Sequence, residues 1–86
     1  MANYLLKIKN SAEKELAKLP VRTILIIRND IKILSSNPFP AGFKKLKGFK
    51  NLYRLRSGDY RIIYSIHQDV LIIEILKIVH RKDAYS

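Results

Sequence analysis

The sequence contains no cysteine, which excludes a disulfide framework and any chemistry that depends on a thiolate. This composition is compatible with the reducing cytoplasm, where we expect the protein to act. The sequence also contains no long apolar run. The N-terminal segment MANYLLKIKN is not typical of a signal peptide, and the most apolar stretch, VLIIEILKIV, is ten residues long and includes Glu74 and Lys77. We therefore predict neither a signal peptide nor a membrane span.

Acidic residues are scarce, because seven Asp and Glu stand against seventeen Lys and Arg and the formal net charge is +10. A surplus of this size opposes compaction by self-repulsion and is typical of proteins that bind a polyanion. Nucleic acid, an anionic membrane or a very acidic protein each fits, and a generic basic surface is the plainer alternative. Residues 44–61 hold seven basic residues and one acidic residue, Asp59. The basic residues are Lys44, Lys45, Lys47, Lys50, Arg54, Arg56 and Arg61.

The first half of the chain predicts a strand and a helical hairpin. We expect residues 1–86 to form one small domain, since 48% of them are hydrophobic. Residues 3–9 show the alternation of a strand. Ser11 is placed to cap a first helix, and Pro20 either ends that helix or opens a second one over 21–35. The apolar positions of the two helices are Ala12, Leu16, Leu19, Ile24, Ile27, Ile31 and Leu34.

The second half of the chain predicts a sheet. The segment SSNPFPAG breaks the helical pattern, because its prolines and glycine cannot continue a helix. Alternation then predicts strands at about 52–57, 60–67 and 70–78, and their short connections make them antiparallel neighbours. The predicted fold is α/β (α+β) with the element order β-α-α-β-β-β. Its helical hairpin packs on one face of a mainly antiparallel sheet.

Alternation also predicts where three arginines of these strands lie. If the two-residue loop is Gly58-Asp59, Arg56 lies opposite Arg61. If the loop is Ser57-Gly58 instead, Arg54 lies opposite Arg61. Both registers put the three arginines on one exposed face, away from the helices. Like charges directly across a sheet are unfavourable unless the long side chains splay into water. We favour the alternative that the three guanidinium groups converge on phosphate, which suits their planar fork of donors.

The C-terminal segment HRKDAYS can bring His80, Arg81 and Tyr85 to the edge of the same face. A histidine can shuttle a proton near neutral pH, and a tyrosine can stack on a base. Each residue alone is more typical of an ordinary surface. The region has no carboxylate pair, no metal-ligand spacing and no Gly-rich phosphate loop, so neither a metal nor a cofactor is expected. RNA carries its own nucleophile, the 2′-OH, and its cleavage needs positioning, charge stabilisation and two proton transfers.

The chain resembles the RelE/ParE superfamily of toxins from toxin–antitoxin modules. The resemblance spans nearly the whole chain and rests on KKLKG, YRLRSGDYRIIY and HRKDAY in that order. It implies a small RelE-like domain and, in the RelE branch, a metal-independent endoribonuclease that cleaves mRNA on the ribosome and inhibits translation. The implied partners are an acidic RelB-like antitoxin, which a strongly basic chain suits, and the ribosome with its mRNA. A toxin–antitoxin hetero-oligomer is the usual arrangement in the family.

The resemblance implies a catalytic role for four residues. Arg61 matches an arginine that stabilises the transition state, and Tyr85 matches the tyrosine that stacks on the base. Arg81 or its neighbour His80 matches the general acid, and we favour His80.

The resemblance also implies a set of RNA-facing cations. Lys47 matches a basic position of this surface, and Lys44 and Lys45 are assigned to RNA binding beside it. Arg54 and Arg56 match two positions that the enterobacterial type member fills with lysines, one of them a general base. Arginine hardly deprotonates, so Arg56 is counted with the catalytic residues as a phosphate binder, and Arg54 is assigned to RNA binding.

Two other functions remain open at this point. The ParE branch inhibits DNA gyrase by binding, although its members generally lack the full basic, histidine and tyrosine set and usually have a longer helical hairpin. The second open possibility is that the chain is a degenerate, inactive module that binds nucleic acid. A membrane surface is not expected as a partner, because the basic residues lie on predicted strands.

Overall fold

The computed structural model describes residues 3–83 and contains two helices on one face of a five-stranded sheet. The elements are β1 (Leu5–Ile8), α1 (Asn10–Ala17), α2 (Val21–Ser36), β2 (Phe43–Lys45), β3 (Leu52–Ser57), β4 (Tyr60–His67) and β5 (Ile72–His80). The strand order in the sheet is β1-β5-β4-β3-β2. The pairing of β1 with β5 is parallel, and the other three pairings are antiparallel. The predicted fold class is confirmed, with β2 as an additional edge strand.

The first helix begins before the predicted cap. Ser11 is the second residue of α1, and the residue that precedes the helix, Lys9, makes no side-chain capping hydrogen bond. The predicted cap is wrong because β1 runs almost directly into the helix. The N–H of Lys9 still donates to the carbonyl of Ile75 at 2.9 Å, so the chain leaves the sheet only at that residue.

Pro20 opens the second helix. It directly precedes α2, and its carbonyl accepts a hydrogen bond from the N–H of Ile24 at 3.0 Å. The predicted range of this helix differs from the observed one by a single residue, Ser36. Within residues 3–83, neither helix has the length and apolar character needed to traverse a bilayer.

The core lies between the helices and the sheet face that they cover, called here the helix face. It consists of Ala12, Leu16, Ile27, Ile31, Leu34, Leu55, Ile62, Tyr64, Ile66, Ile73, Ile75 and Ile78. Tyr64 is the largest fully buried residue, and its hydroxyl donates a hydrogen bond to the carbonyl of Pro38 at 3.0 Å. Burial, and to a lesser extent the nearby Tyr53, raises the pKa of Tyr64 to about 12. The phenol therefore stays protonated and holds the α2–β2 connection on the sheet.

A β-bulge interrupts the pairing of β4 with β5. Tyr64 pairs with Ile75 and Ile63 pairs with Lys77, so Leu76 has no partner on β4. On the C-terminal side of this residue the N–H of Ile78 donates to Oε1 of Glu15, in α1, at 3.1 Å. The bulge shifts the alternation of β5 by one residue, since an extra residue moves every later side chain to the other face.

We expect Glu15→Ala to lower the free energy of unfolding by about 1–3 kcal/mol, because it removes the acceptor of a partly buried backbone donor. Glu15→Gln keeps a side-chain carbonyl and should recover most of the loss. Glu13→Ala is the matched control, since it removes a half-exposed ion pair to Arg28 at 2.7 Å. Such a pair contributes roughly 0.2–1 kcal/mol. Urea unfolding of the three variants measures the difference, and equal losses for Glu15→Ala and Glu13→Ala would contradict this role of Glu15.

Candidate functional site

The β3–β4 hairpin has the first of the two predicted registers. Arg56 pairs directly with Arg61, and Ser57 pairs with Tyr60, which leaves Gly58 and Asp59 as the turn. Gly58 has a φ of +58°, and two-residue hairpin turns often require this conformation at their first position. Register and alternation place Arg54, Arg56 and Arg61 on the sheet face opposite the helices, called here the arginine face. Their predicted position on one face, away from the helices, is confirmed.

A depression of about 360 Å³ lies on the arginine face. Its lining residues are Gly42, Lys44, Arg54, Arg56 and Arg61. Lys44 pairs with Arg54 across β2 and β3, so two directly opposed pairs of like charge lie next to each other. Such pairs are unfavourable in isolation, and among residues 3–83 the lining of the depression includes no aspartate or glutamate. The arrangement therefore suits an anion with several acceptor oxygens, as a phosphodiester has.

Arg61 is 7% exposed, although the sequence predicted an exposed side chain. The reason is its position on the central strand β4, with Arg56 on one side and Val79 on the other. Its Nη1 donates a hydrogen bond to the carbonyl of Tyr60 at 3.2 Å. A guanidinium that is held in this way needs little reorganisation when a charged group enters the depression.

The lysines predicted to bind RNA do not all lie on the arginine face. Lys44 lines the depression, but its neighbour Lys45 pairs with Tyr53, which lies on the helix face. Lys47 is exposed in the loop between β2 and β3 and lies outside the depression. Sequence reasoning did not identify β2, because three residues with two adjacent lysines show no alternation.

The bulge changes the position of His80. His80 pairs with Tyr60, whose strand neighbours on the same face are core residues, so it lies on the helix side of the sheet rather than at the edge of the arginine face. The rings of His80 and Tyr60 meet edge to face at 5.1 Å. The N–H of Lys82 donates to Nδ1 of His80 at 3.2 Å, which leaves Nε2 as the protonated nitrogen of a neutral ring.

Arg81 is held over the turn that joins the arginine-bearing strands. Its backbone N–H donates to the carbonyl of Asp59 at 2.7 Å. Its Nε lies 3.7 Å from Oδ1 of the same residue, and both side chains are largely exposed. Asp59 was not identified as a functional residue from the sequence, where it reads only as a turn residue. Tyr85 lies outside the described residues.

A helical hairpin on one face of a mixed sheet, with clustered arginines on the other, defines a small RelE-like α+β fold. Residues 6–85 match the family described as "ParE toxin of type II toxin-antitoxin system, parDE". The chain is 37% identical over 76 residues to the putative toxin RelE1 of Methanocaldococcus jannaschii, which covers 85% of this chain and 84% of that one. The chain belongs to the RelE/ParE family of toxins of type II toxin–antitoxin systems.

Solved structures show the same fold. The match to the archaeal RelE–RelB complex from Pyrococcus horikoshii has a TM-score of 0.84 and 36% sequence identity, over 95% of this chain and 99% of that one. The RelBE2 toxin–antitoxin complex of Mycobacterium tuberculosis gives a TM-score of 0.82 with 27% identity, over 93% of this chain and 100% of that one. A mutant of the E. coli toxin RelE in the free state, at 21% identity and a TM-score of 0.78 over 96% of this chain and 88% of that one, shares the fold.

Proposed function

We propose that this toxin is an endoribonuclease that cleaves mRNA on the ribosome and so stops translation. The observation that carries this proposal is the depression on the arginine face that Lys44, Arg54, Arg56 and Arg61 line together. A phosphodiester that enters it gains several charge-assisted hydrogen bonds, and the like-charge repulsion between the paired cations is relieved.

The reaction that suits this site uses the RNA as its own nucleophile. The 2′-OH gives its proton to a base and attacks the adjacent phosphorus, and the bond from phosphorus to the 5′ oxygen breaks. That oxygen takes a proton from a general acid, so the products are a 2′,3′-cyclic phosphate and a 5′-hydroxyl. Arg61 and Arg56 stabilise the extra negative charge on the phosphorane, and Arg54 and Lys44 hold the flanking backbone. Either His80, which must reach around the end of β5 from the helix side, or Arg81 serves as the acid, and Tyr85 stacks on the base.

An acidic antitoxin of the RelB type is the proposed protein partner. The RelE relatives from P. horikoshii and M. tuberculosis were solved in complexes with antitoxins. A chain of net charge +10 attracts an acidic partner over long distances, and covering the arginine face would block RNA from the depression. The expected assembly is a toxin–antitoxin hetero-oligomer.

Inhibition of DNA gyrase is the second candidate function, because the matching family is described by its ParE toxins. It requires binding and no RNA chemistry. The clustered cations at the depression favour RNA cleavage over this alternative, since three guanidinium groups around one space suit the oxygens of a phosphodiester.

Mapping of mRNA ends tests the proposed function. The purified protein is added to a reconstituted translation system, and the mRNA is examined by primer extension beside the same mRNA without ribosomes. We expect cuts in register with the codons, and only on ribosomes. Intact mRNA in both reactions would contradict the proposal, and a DNA supercoiling assay with gyrase would then test the ParE-type activity.

A further inference from the structure

We propose that the loop of residues 46–51, between β2 and β3, is a second binding site for single-stranded RNA, in which the ring of Phe49 stacks on a base. This site rests on the proposed RNA cleavage for the direction of the strand, which would run from the depression along β3 to the loop. No residue of the depression takes part in it.

Phe49 is the exposed aromatic residue of this loop. The residue is 59% exposed. The other two phenylalanines pack together, since the rings of Phe39 and Phe43 lie 5.3 Å apart and Phe39 also meets Tyr53 at 5.8 Å. Within residues 3–83, Phe49 makes no comparable ring contact. Packing therefore does not account for an aromatic side chain at this position.

The surroundings of Phe49 are cationic. Lys47 and Lys50 flank it and are exposed, and residues 31–58 contain no aspartate or glutamate. An exposed ring between cations is the arrangement by which proteins bind single-stranded nucleic acid, because every base offers a flat face and every nucleotide a phosphate. A docking site for a protein helix would instead need a wider apolar patch.

The loop is held in place at both ends. The N–H of Leu46 donates to the carbonyl of Leu52 at 2.9 Å, and the carbonyl of Asn51 accepts from Ile66 at 3.1 Å. Gly48 and Asn51 have φ angles of +82° and +62°, a conformation that turns the chain sharply. A tethered loop loses little conformational freedom when a base stacks on it.

The distance to the depression suits a strand of RNA. A β-strand rises about 3.3 Å per residue, so Leu52 lies about 7 Å from Arg54 and about 13 Å from Arg56 along β3. A backbone whose phosphate occupies the depression therefore reaches the loop within a few nucleotides. Phe49 would fix the register of the strand at one end while Arg56 and Arg61 hold the scissile phosphate at the other.

Tryptophan fluorescence tests the site directly, because the chain contains no tryptophan. The Phe49→Trp protein is titrated with a short single-stranded RNA that carries 2′-O-methyl groups throughout and so cannot be cleaved. We expect the RNA to quench the fluorescence, and an RNA of the same length with abasic sites to bind without quenching. Leu25→Trp, at a position of α2 that is 64% exposed, is the matched control and should not respond.

Affinity provides a second readout. Fluorescence anisotropy of the labelled 2′-O-methyl RNA should show that Phe49→Ala binds about 10-fold more weakly than the native chain, and that Phe49→Tyr binds as the native chain does. The stacking site is overturned if the RNA does not quench the fluorescence, or if abasic RNA quenches it equally. It is also overturned if the native protein does not bind the RNA at low salt. Neither readout depends on ribosomes or on cleavage, so a chain that stacks on RNA but leaves mRNA intact would contradict only the proposed function.

Discussion

Arg61→Ala should reduce the rate of mRNA cleavage on the ribosome at least about 100-fold, and with it the toxicity of the protein in cells. Arg61 lies on the central strand, is 7% exposed and lines the depression directly opposite Arg56. Removing it takes away a buried guanidinium that lines the depression and whose Nη1 donates to the carbonyl of Tyr60. Arg61→Lys keeps a cation without the planar fork of donors, so its cleavage rate should lie between those of the native protein and Arg61→Ala.

The burial of Arg61 makes the control important, because part of any loss could come from a weaker fold. Circular dichroism and thermal unfolding of Arg61→Ala should be compared with Arg61→Lys, which fills much of the same volume. Lys77→Ala removes a cation from the neighbouring strand β5, outside the depression, and should change the cleavage rate less than about 3-fold. A folded Arg61→Ala protein that cleaves mRNA at the native rate would remove the arginine face from the proposed mechanism.

The arginine face could be predicted from the sequence because everything that determines it is local. The bounds of β3 and β4 agree with the alternation, and Gly58 with Asp59 fixes the register of the hairpin. The bulge of β5 lies outside the part of β4 that carries Arg61, so counting by twos places all three arginines correctly. The one local failure is the exposure of Arg61, which depends on the strands that flank β4.

The C-terminal part of the site could not be placed in this way because a contact distant in sequence determines it. Strict alternation of side chains from the core positions Ile73 and Ile75 puts His80 on the arginine face. The bulge at Leu76 reverses that result, and Glu15, from the other end of the chain, satisfies the backbone N–H of Ile78 there. Nothing in the pattern of β5 alone signals the extra residue.

The sequence did not predict β2 or the start of α1 correctly, and the two reasons are related. β2 is a three-residue edge strand that is defined by its backbone pairing with β3, so its sequence carries no periodic signal and does not show that Lys45 lies on the helix face. Ser11 has the side chain of a helix cap, but the parallel pairing of β1 with β5 sets the point at which the helix starts. In both cases tertiary pairing overrides local preference.

The second large effect is expected at His80, the proposed general acid. His80→Ala should slow the cleavage of ordinary mRNA by about 100- to 10,000-fold, the usual range for loss of a positioned proton donor. To act as the acid, His80 must be an imidazolium, so the hydrogen bond from the N–H of Lys82 to Nδ1 has to break. Its ring lies on the helix side of the sheet, so it must also reach the 5′ oxygen around the end of β5. Arg81, whose Nε is 3.7 Å from the carboxylate of Asp59, is the alternative donor, and Arg81→Ala is therefore the matched comparison.

A substrate with sulfur in place of the 5′ bridging oxygen at the cleavage site separates the two donors. A thiolate leaves without protonation, so a variant that lacks only the acid should cleave this substrate at nearly the native rate. We expect the sulfur substrate to restore His80→Ala and to leave Arg61→Ala inactive, because charge on the phosphorane must still be stabilised. Restoration of Arg81→Ala instead would make Arg81 the acid. Native cleavage of the oxygen substrate by His80→Ala would show that the ring, which packs against Tyr60 on the helix side, only supports the end of β5.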